Sequence, residues 1–220
     1  RGKRSIEDHF DDAFELESQL KGTSKEHFLN EINDVINSAS FTYTRQRQML
    51  GLGHAILTGK PLIGDEAFAV ILADDLCDYE NTSVLSQMIK IYNRYQCSVI
   101  AIEEVPFDQT NRYGIITGDP IGKSKDLFKV NSMVEKPEID LAPSNLAIIG
   151  RYILTPDIFD ILEEIQPDRN KELQITDALL AQAKQGKVIA YKFKGKRFDC
   201  GSIEGYLNAT NHFAKKIGII

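Results

Sequence analysis

The chain has 220 residues, 42% hydrophobic and 26% charged, which suits one folded domain with its own core and excludes a disordered or fibrous protein. A formal net charge of -6 speaks against a nucleic-acid partner, so any phosphate the protein handles must meet local cations or a metal. Cys77, Cys97 and Cys200 are widely spaced, with no Cys-x-x-Cys pair, which predicts free thiols, no zinc and a reducing, cytoplasmic setting.

Arg1-Gly2-Lys3-Arg4 leads directly into the amphipathic pattern Ile6, Phe10, Phe14, Leu16, Leu20, which predicts a helix from Ser5 to Lys21 and gives the start the look of a cut. A second helix follows from Ser24 to Asn37, then a strand at Phe41 to Gln46 and a short helix after Gly53. The apolar run Ala67 to Leu72 reads as a buried strand and is far too short to span a membrane, so no membrane partner is expected. Next come a helix (Thr82 to Tyr95) and strands at Ser98 to Glu103, Gly114 to Thr117, Phe128 to Val134 and Ala147 to Leu154. Helices at Pro156 to Glu164 and Glu172 to Lys184, a strand at Lys187 to Phe193 and a helix after Ser202 complete the pattern. Strands alternating with helices predict an α/β fold, a sheet with helices on both faces. In the last helix Phe213 and Ile217 are expected in the core.

Asp74 ends the apolar run, and Asp199 stands in Phe198-Asp199-Cys200-Gly201. Each could be a solvated turn residue, but ligands of open α/β sheets gather beyond the carboxyl ends of strands, where carboxylates hold hard cations. Glu135 and Lys136 lie between them in sequence and would point to opposite faces of an extended strand, so a shared ligand requires a local twist, for which Pro137 supplies a reason. A carboxylate suits sugar hydroxyls and an ammonium suits phosphate oxygens; a surface charge pair is the plain alternative. Metal, phosphate and polyol together are the inventory of a sugar nucleotidyltransferase.

Gly51-Leu52-Gly53-His54-Ala55 opens a helical pattern, leaving backbone N–H groups for a ligand, but lacks the third glycine of a dinucleotide fingerprint. Gly118 to Ser124 has one residue too few for a P-loop and reads as a hairpin turn. His54 is read as a packing or capping residue, and no spacing suggests a covalent nucleophile.

In order, Ser5-Ile6-Glu7-Asp8-His9-Phe10, Arg45-Gln46, the Gly51 to Ala55 segment, Tyr113-Gly114, Val134-Glu135-Lys136-Pro137, Pro143 to Tyr152, Glu172 to Ala178 and Asp199-Cys200-Gly201 resemble the bacterial UTP:glucose-1-phosphate uridylyltransferases, or UDP-glucose pyrophosphorylases. The resemblance runs through the whole chain, 1–220, as one domain. It implies a Rossmann-like nucleotidyltransferase fold, a mixed central sheet with helices on both faces. It implies that Gln46 and the backbone at Gly51 read uracil, that Asp74 and Asp199 hold Mg2+, that Gly114, Glu135 and the backbone near Ile148 contact glucose, and that Lys136 meets the sugar phosphate. UTP and glucose 1-phosphate would give UDP-glucose and pyrophosphate, in a homo-oligomer, a dimer or tetramer.

The family's Gly-x-Gly-x-Arg loop and Pro-Lys-Glu segment would precede the part present, so the resemblance implies an N-terminally incomplete and catalytically impaired chain. Ala73 stands at a usual proline and Ile203 at a frequent lysine. A sister enzyme using dTTP or N-acetylglucosamine 1-phosphate would share the metal and Glu-Lys features, and a non-catalytic nucleotide-sugar-binding module is the other alternative.

Overall fold

The computed structural model describes residues 4–11 and 13–220, in two compact units, Arg1–Arg45 and Gln46–Ile220. The first unit holds α1 (Arg4–Phe10), α2 (Phe14–Leu20) and α3 (Glu26–Asn37). The single helix expected from Ser5 to Lys21 is therefore two. The break includes Asp11, whose short polar side chain competes for backbone groups inside a helix; Asp12 lies outside the described residues. The strand expected at Phe41 to Gln46 is not formed. Its alternating pattern has no ladder partner among the described residues; Phe41 instead stacks its ring on Phe10 with centroids 4.3 Å apart.

The second unit begins with α4 (Gly51–Thr58), α5 (Lys60–Ile63), β1 (Phe68–Ile71), β2 (Asp75–Asp78), α6 (Val84–Tyr95) and β3 (Ser98–Glu104). It continues through β4 (Gly114–Pro120), β5 (Leu127–Glu135), β6 (Leu146–Leu154), α7 (Asp157–Glu164), α8 (Ile175–Lys184), β7 (Val188–Lys192), β8 (Lys196–Asp199) and α9 (Ile203–Lys216). Six strands form one sheet in the order β1-β6-β3-β7-β5-β4. Only β3 and β7 are parallel neighbours; the other pairs are antiparallel, and β4 also pairs with the start of β6. The sheet is thus mixed, as expected, with antiparallel pairing dominant. The expected turn at Gly118 to Ser124 starts later: Gly118 to Pro120 still pair with β5 as the end of β4, and the connection follows from Ile121, whose N–H donates to the Leu127 carbonyl.

Side-chain alternation sets the layers. Ile100 and Ile102 of β3 join Tyr152 and Leu154 of β6 in a core with Ile158, Phe159 and Leu162 of α7 and Leu179 of α8. Val99 and Ala101, one residue out of phase, face the opposite way and pack with Ile149, Ile153 and the α6 residues Val84 and Met88. Each buried Val, Ile, Leu or Met side chain among these contributes about 1.5–3 kcal/mol, so β3 is gripped from both faces. Helix α6 starts where the Ser83 hydroxyl accepts from the Ser86 N–H, and ends at Gln96 in the left-handed conformation, φ 53°.

Two expectations need correction. The run at Ala67 to Leu72 is not fully buried: β1 pairs with β6 alone, and Ala69 and Ile71 are exposed. In α9, Phe213 packs against Phe198 with ring centroids 5.8 Å apart, but Ile217, beyond the helix end, is 68% exposed.

A second, two-stranded ladder carries Asp199 and begins directly after Asp74. Strands β2 and β8 pair antiparallel in the register Asp75↔Asp199, Leu76↔Phe198, Cys77↔Arg197 and Asp78↔Lys196. Ser202 then caps α9 by accepting from the Gly205 N–H.

Candidate active site

The β2–β8 ladder joins positions far apart in sequence. The Cys200 N–H donates to the Asp74 carbonyl at 2.7 Å, fixing the two chain segments side by side. A Cβ on Gly201 would lie 3.1 Å from Asp199 Oδ1 and 3.5 Å from Asp74 Oδ2, so both carboxylates converge on one small volume that glycine leaves free. Among the described residues, the Asp74 carboxylate makes no hydrogen bond or ion pair and is open to a ligand.

Asp199 is held. Its Oδ2 accepts from Arg112 Nη2 at 2.9 Å and from the Tyr113 hydroxyl at 3.3 Å. Behind it Arg197, with a side chain only 7% exposed, donates from Nε to Asp75 Oδ1 at 2.6 Å and from Nη1 to Glu103 Oε1 at 2.6 Å. Asp75 and Asp199 face each other across the ladder, an arrangement that repels until a cation answers it. Burial pulls the Arg197 pKa down, but the Tyr113 hydroxyl and the Asp75 and Glu103 carboxylates outweigh it and the net shift is upward. Burial pushes the Glu103 carboxyl above its ordinary range, against the pull of Arg197. The turn before the ladder is pinned from β6: Gly150 N–H donates to Asp75 Oδ2 at 2.5 Å, and Arg151 donates to the Leu72 and Asp75 carbonyls.

These groups edge a cleft of about 360 Å3. Asp74, Asp199, Gly114, Glu135, Lys136 and Ile148 all line it. Lys136 has φ 44°, a conformation that costs a non-glycine residue about 1–2 kcal/mol, and it supplies the twist the Glu-Lys pair requires. Its N–H donates to the Tyr113 carbonyl at 3.0 Å, and the ammonium of its side chain, which is 61% exposed, stands 3.8 Å from Glu135 Oε1. Glu135 Oε2 accepts from the Thr176 hydroxyl at 2.5 Å, leaving the other oxygen for a ligand. A Cβ on Gly114 would sit 3.1 Å from both Glu135 Oε2 and Ile148 Cδ1 and 3.3 Å from Thr176 Oγ1, which explains a glycine there. Tyr152 forms part of the lining; burial, and then Glu135, raise its pKa, so its phenol stays a proton donor.

Neither Gln46 nor Gly51 is among the residues lining the cleft, although Leu52, next to Gly51, is. The Gln46 amide donates to the Gly51 carbonyl and contacts His54 Nδ1, each at 3.0 Å. Gly51 has φ 85° and approaches the Leu173 backbone, while the Gly53 N–H, expected to be free for a ligand, donates to the Leu173 carbonyl at 2.8 Å. The close glycines thus seat α4 on the 172–173 segment. His54 is engaged locally, in keeping with a packing role.

Sequence reasoning missed Arg112, Arg197, Glu103 and Thr176 as site residues. Thr176 lay inside a recognised motif; a lone Arg between Lys196 and Phe198 gave no signal until β8 was paired with β2.

Two converging carboxylates with open oxygen positions suit a magnesium-like cation, which binds through one or two carboxylates plus substrate phosphates. Among the described residues no cluster of three or more His, Cys, Asp or Glu forms a closed metal cage.

Residues 9–216 match the model of the nucleotidyl transferase family. The chain is 63% identical over 212 residues to the UTP–glucose-1-phosphate uridylyltransferase of Pseudomonas aeruginosa PAO1, covering 96% of this chain and 75% of that protein. It is 44% identical over 214 residues to the enzyme of that name from Staphylococcus epidermidis RP62A, covering 97% and 73%. A solved UDP-glucose pyrophosphorylase complexed with UDP-glucose superposes with a TM-score of 0.89 at 54% identity, covering 98% of this chain and 78% of that one. A UTP-bound pyrophosphorylase from Acinetobacter baumannii gives 0.84 at 38% identity, covering 96% and 73%. The chain belongs to the nucleotidyl transferase family, among its UTP–glucose-1-phosphate uridylyltransferases.

Proposed function

We propose that the cleft transfers uridylyl from UTP to glucose 1-phosphate with Mg2+ held by Asp74 and Asp199, giving UDP-glucose and pyrophosphate. The observation that supports this most is the meeting of the two carboxylates at Gly201, in the cleft that also contains Glu135 and Lys136. When bound, the cation offsets the repulsion between the two phosphates and stabilises charge on the departing pyrophosphate.

The chain's own residues do the rest. Glu135, fixed by Thr176, accepts hydrogen bonds from glucose hydroxyls beside Gly114 and Ile148. Lys136 faces the sugar phosphate and aligns one of its oxygens with the α-phosphorus of UTP. That oxygen forms the new P–O bond as the bond to pyrophosphate breaks. The attacking phosphate is already ionised near neutral pH, so no side chain must act as a base. Arg112, Tyr113 and Arg197 hold Asp199 in place. Gln46 and the backbone at Gly51 read the uracil edge in this scheme.

The enzyme works as a cytoplasmic homo-oligomer, a dimer or tetramer, in this reading. Three free thiols support the compartment, and the exposed Ile203, Tyr206 and Leu207 of α9 support the assembly. Calorimetry should show UDP-glucose binding to this chain. Pyrophosphate release, in the chain extended to the length of its relatives, should require UTP, glucose 1-phosphate and Mg2+. Equal turnover with dTTP or with N-acetylglucosamine 1-phosphate would refute the substrate assignment.

A further inference from the structure

The second unit has another hollow, larger than the cleft. It encloses about 700 Å3 where the 78–82 loop, α6 and the β7–β8 connection meet, and nothing in the transfer reaction uses it. That volume suits a small metabolite. One wall is fixed by Gln87. Its amide nitrogen donates to the carbonyls of Thr82 at 2.7 Å and Lys194 at 2.9 Å, and its amide oxygen accepts from the Tyr191 hydroxyl at 2.8 Å and the Lys194 N–H at 3.1 Å. With both amide protons and both lone pairs engaged, Gln87 cannot collapse into the space. Gly195 closes the same wall at a point where a Cβ would collide with the Asp78 carbonyl oxygen.

The charge around this hollow departs from that of the chain. Lys90, Lys194 and Lys196 all line it, and among the described residues none of the three forms an ion pair. Of the two carboxylates there, Asp78 is already engaged by His212 at 2.7 Å and by Lys216, which leaves Glu80 against three ammonium groups. A chain of net charge -6 therefore gathers a local surplus of positive charge around one concave space. The Lys196 ammonium lies over the Phe198 ring at 4.9 Å, so among the described residues Lys90 and Lys194 are the two with no partner of either kind. Beside them, Glu80 and Asn81 offer groups that bond hydroxyls, and Tyr79, 44% exposed, offers a flat apolar face.

We propose that this hollow is a second small-molecule site, built for a phosphate monoester of a sugar or nucleoside: Lys90 and Lys194 take the phosphate, and Glu80 and Asn81 take the hydroxyls. This stands apart from the reaction assigned to the cleft. It would survive if that assignment failed.

His212 lines the hollow and His54 does not, so the His212 ring resonances report on this site alone. The chain is titrated with ribose 5-phosphate at constant pH, against potassium chloride of matched ionic strength. The expected result is a saturable shift of the His212 signals that chloride does not reproduce. Lys90→Ala and Lys194→Ala should each weaken the apparent affinity about tenfold, the loss of one charge-assisted contact, without altering thermal unfolding or UDP-glucose binding. An equal shift with chloride, a shift that never saturates, or unchanged affinity in the double variant would overturn the proposal.

Discussion

The two ends of the β2–β8 ladder each carry a carboxylate–cation cluster, and they differ in their access to water. At one end Arg197, 7% exposed, is locked between Asp75, Glu103 and Asp199; at the other Asp78 is held by His212 and by Lys216, whose side chain is 47% exposed. A buried guanidinium keeps acidic groups in one arrangement beneath the cleft, where a ligand needs fixed geometry. A solvated cluster ties a helix to a strand and is replaceable. The same four-rung ladder therefore presents a rigid surface at Asp75 and Asp199 and a forgiving one at Asp78 and Lys196.

The sharpest way to break this contrast is Arg197→Ala. Removing the cation leaves the Asp75 and Glu103 carboxylates without the countercharge they share, and denaturant unfolding should show a loss of about 3–5 kcal/mol. A loss under 1 kcal/mol would place the two ends on the same footing. Asp74→Asn should leave stability nearly unchanged, because the carboxylate has no partner among the described residues, and yet lower pyrophosphate release in the extended chain by about a hundredfold or more. Normal turnover there would remove Asp74 from the site.

Arg112→Ala sharpens the comparison within the cleft. The Arg112–Asp199 pair is about half exposed on the arginine side, so its loss should cost under about 1 kcal/mol of stability. If a cation binds Asp199, Arg112 competes with it there, and the variant should saturate at a lower Mg2+ concentration, by no more than about fivefold; a higher requirement would show that the arginine helps the metal instead. The smallest effect belongs to the far end. His212, then Lys216, hold the Asp78 carboxyl down to about 2. A carboxyl with a lowered folded pKa contributes stability above its unfolded value near 4 and loses it as pH falls toward 2. Asp78→Asn should therefore narrow the acid-induced drop in melting temperature between about pH 4 and pH 2 while leaving the profile from pH 6 to 8 parallel to the parent. A difference confined to the neutral range would contradict the assignment.

The centre of the main sheet was legible because its strands are apolar runs rich in β-branched residues; Ser98 to Glu104 reads as a strand from its residue types alone. Strands β2 and β8 were not, since Asp75-Leu76-Cys77-Asp78 and Lys196-Arg197-Phe198-Asp199 are four residues each and charged at both ends, like turns. Only their pairing reveals them. The candidate carboxylates could still be named, because Asp74 follows an apolar run, in the turn between β1 and β2, and Asp199 ends β8 before a turn, but Arg197 could not: its role exists through contacts with residues 94 and 122 positions away. The Phe41 to Gln46 segment failed in the opposite sense, having a strand's pattern and no neighbour to pair with. Lys136 lies between these cases. Pro137 announced a twist, and the positive φ supplied it.

The most direct test is a double-mutant cycle on divalent cation binding, read by Mn2+ resonance in the presence of UDP-glucose, for Asp74→Asn, Asp199→Asn and the pair together. If one ion is gripped by both carboxylates, each single variant loses most of the affinity and the double loses little more. Losses that simply add, or a single variant that binds like the parent, would mean that the two aspartates do not share an ion.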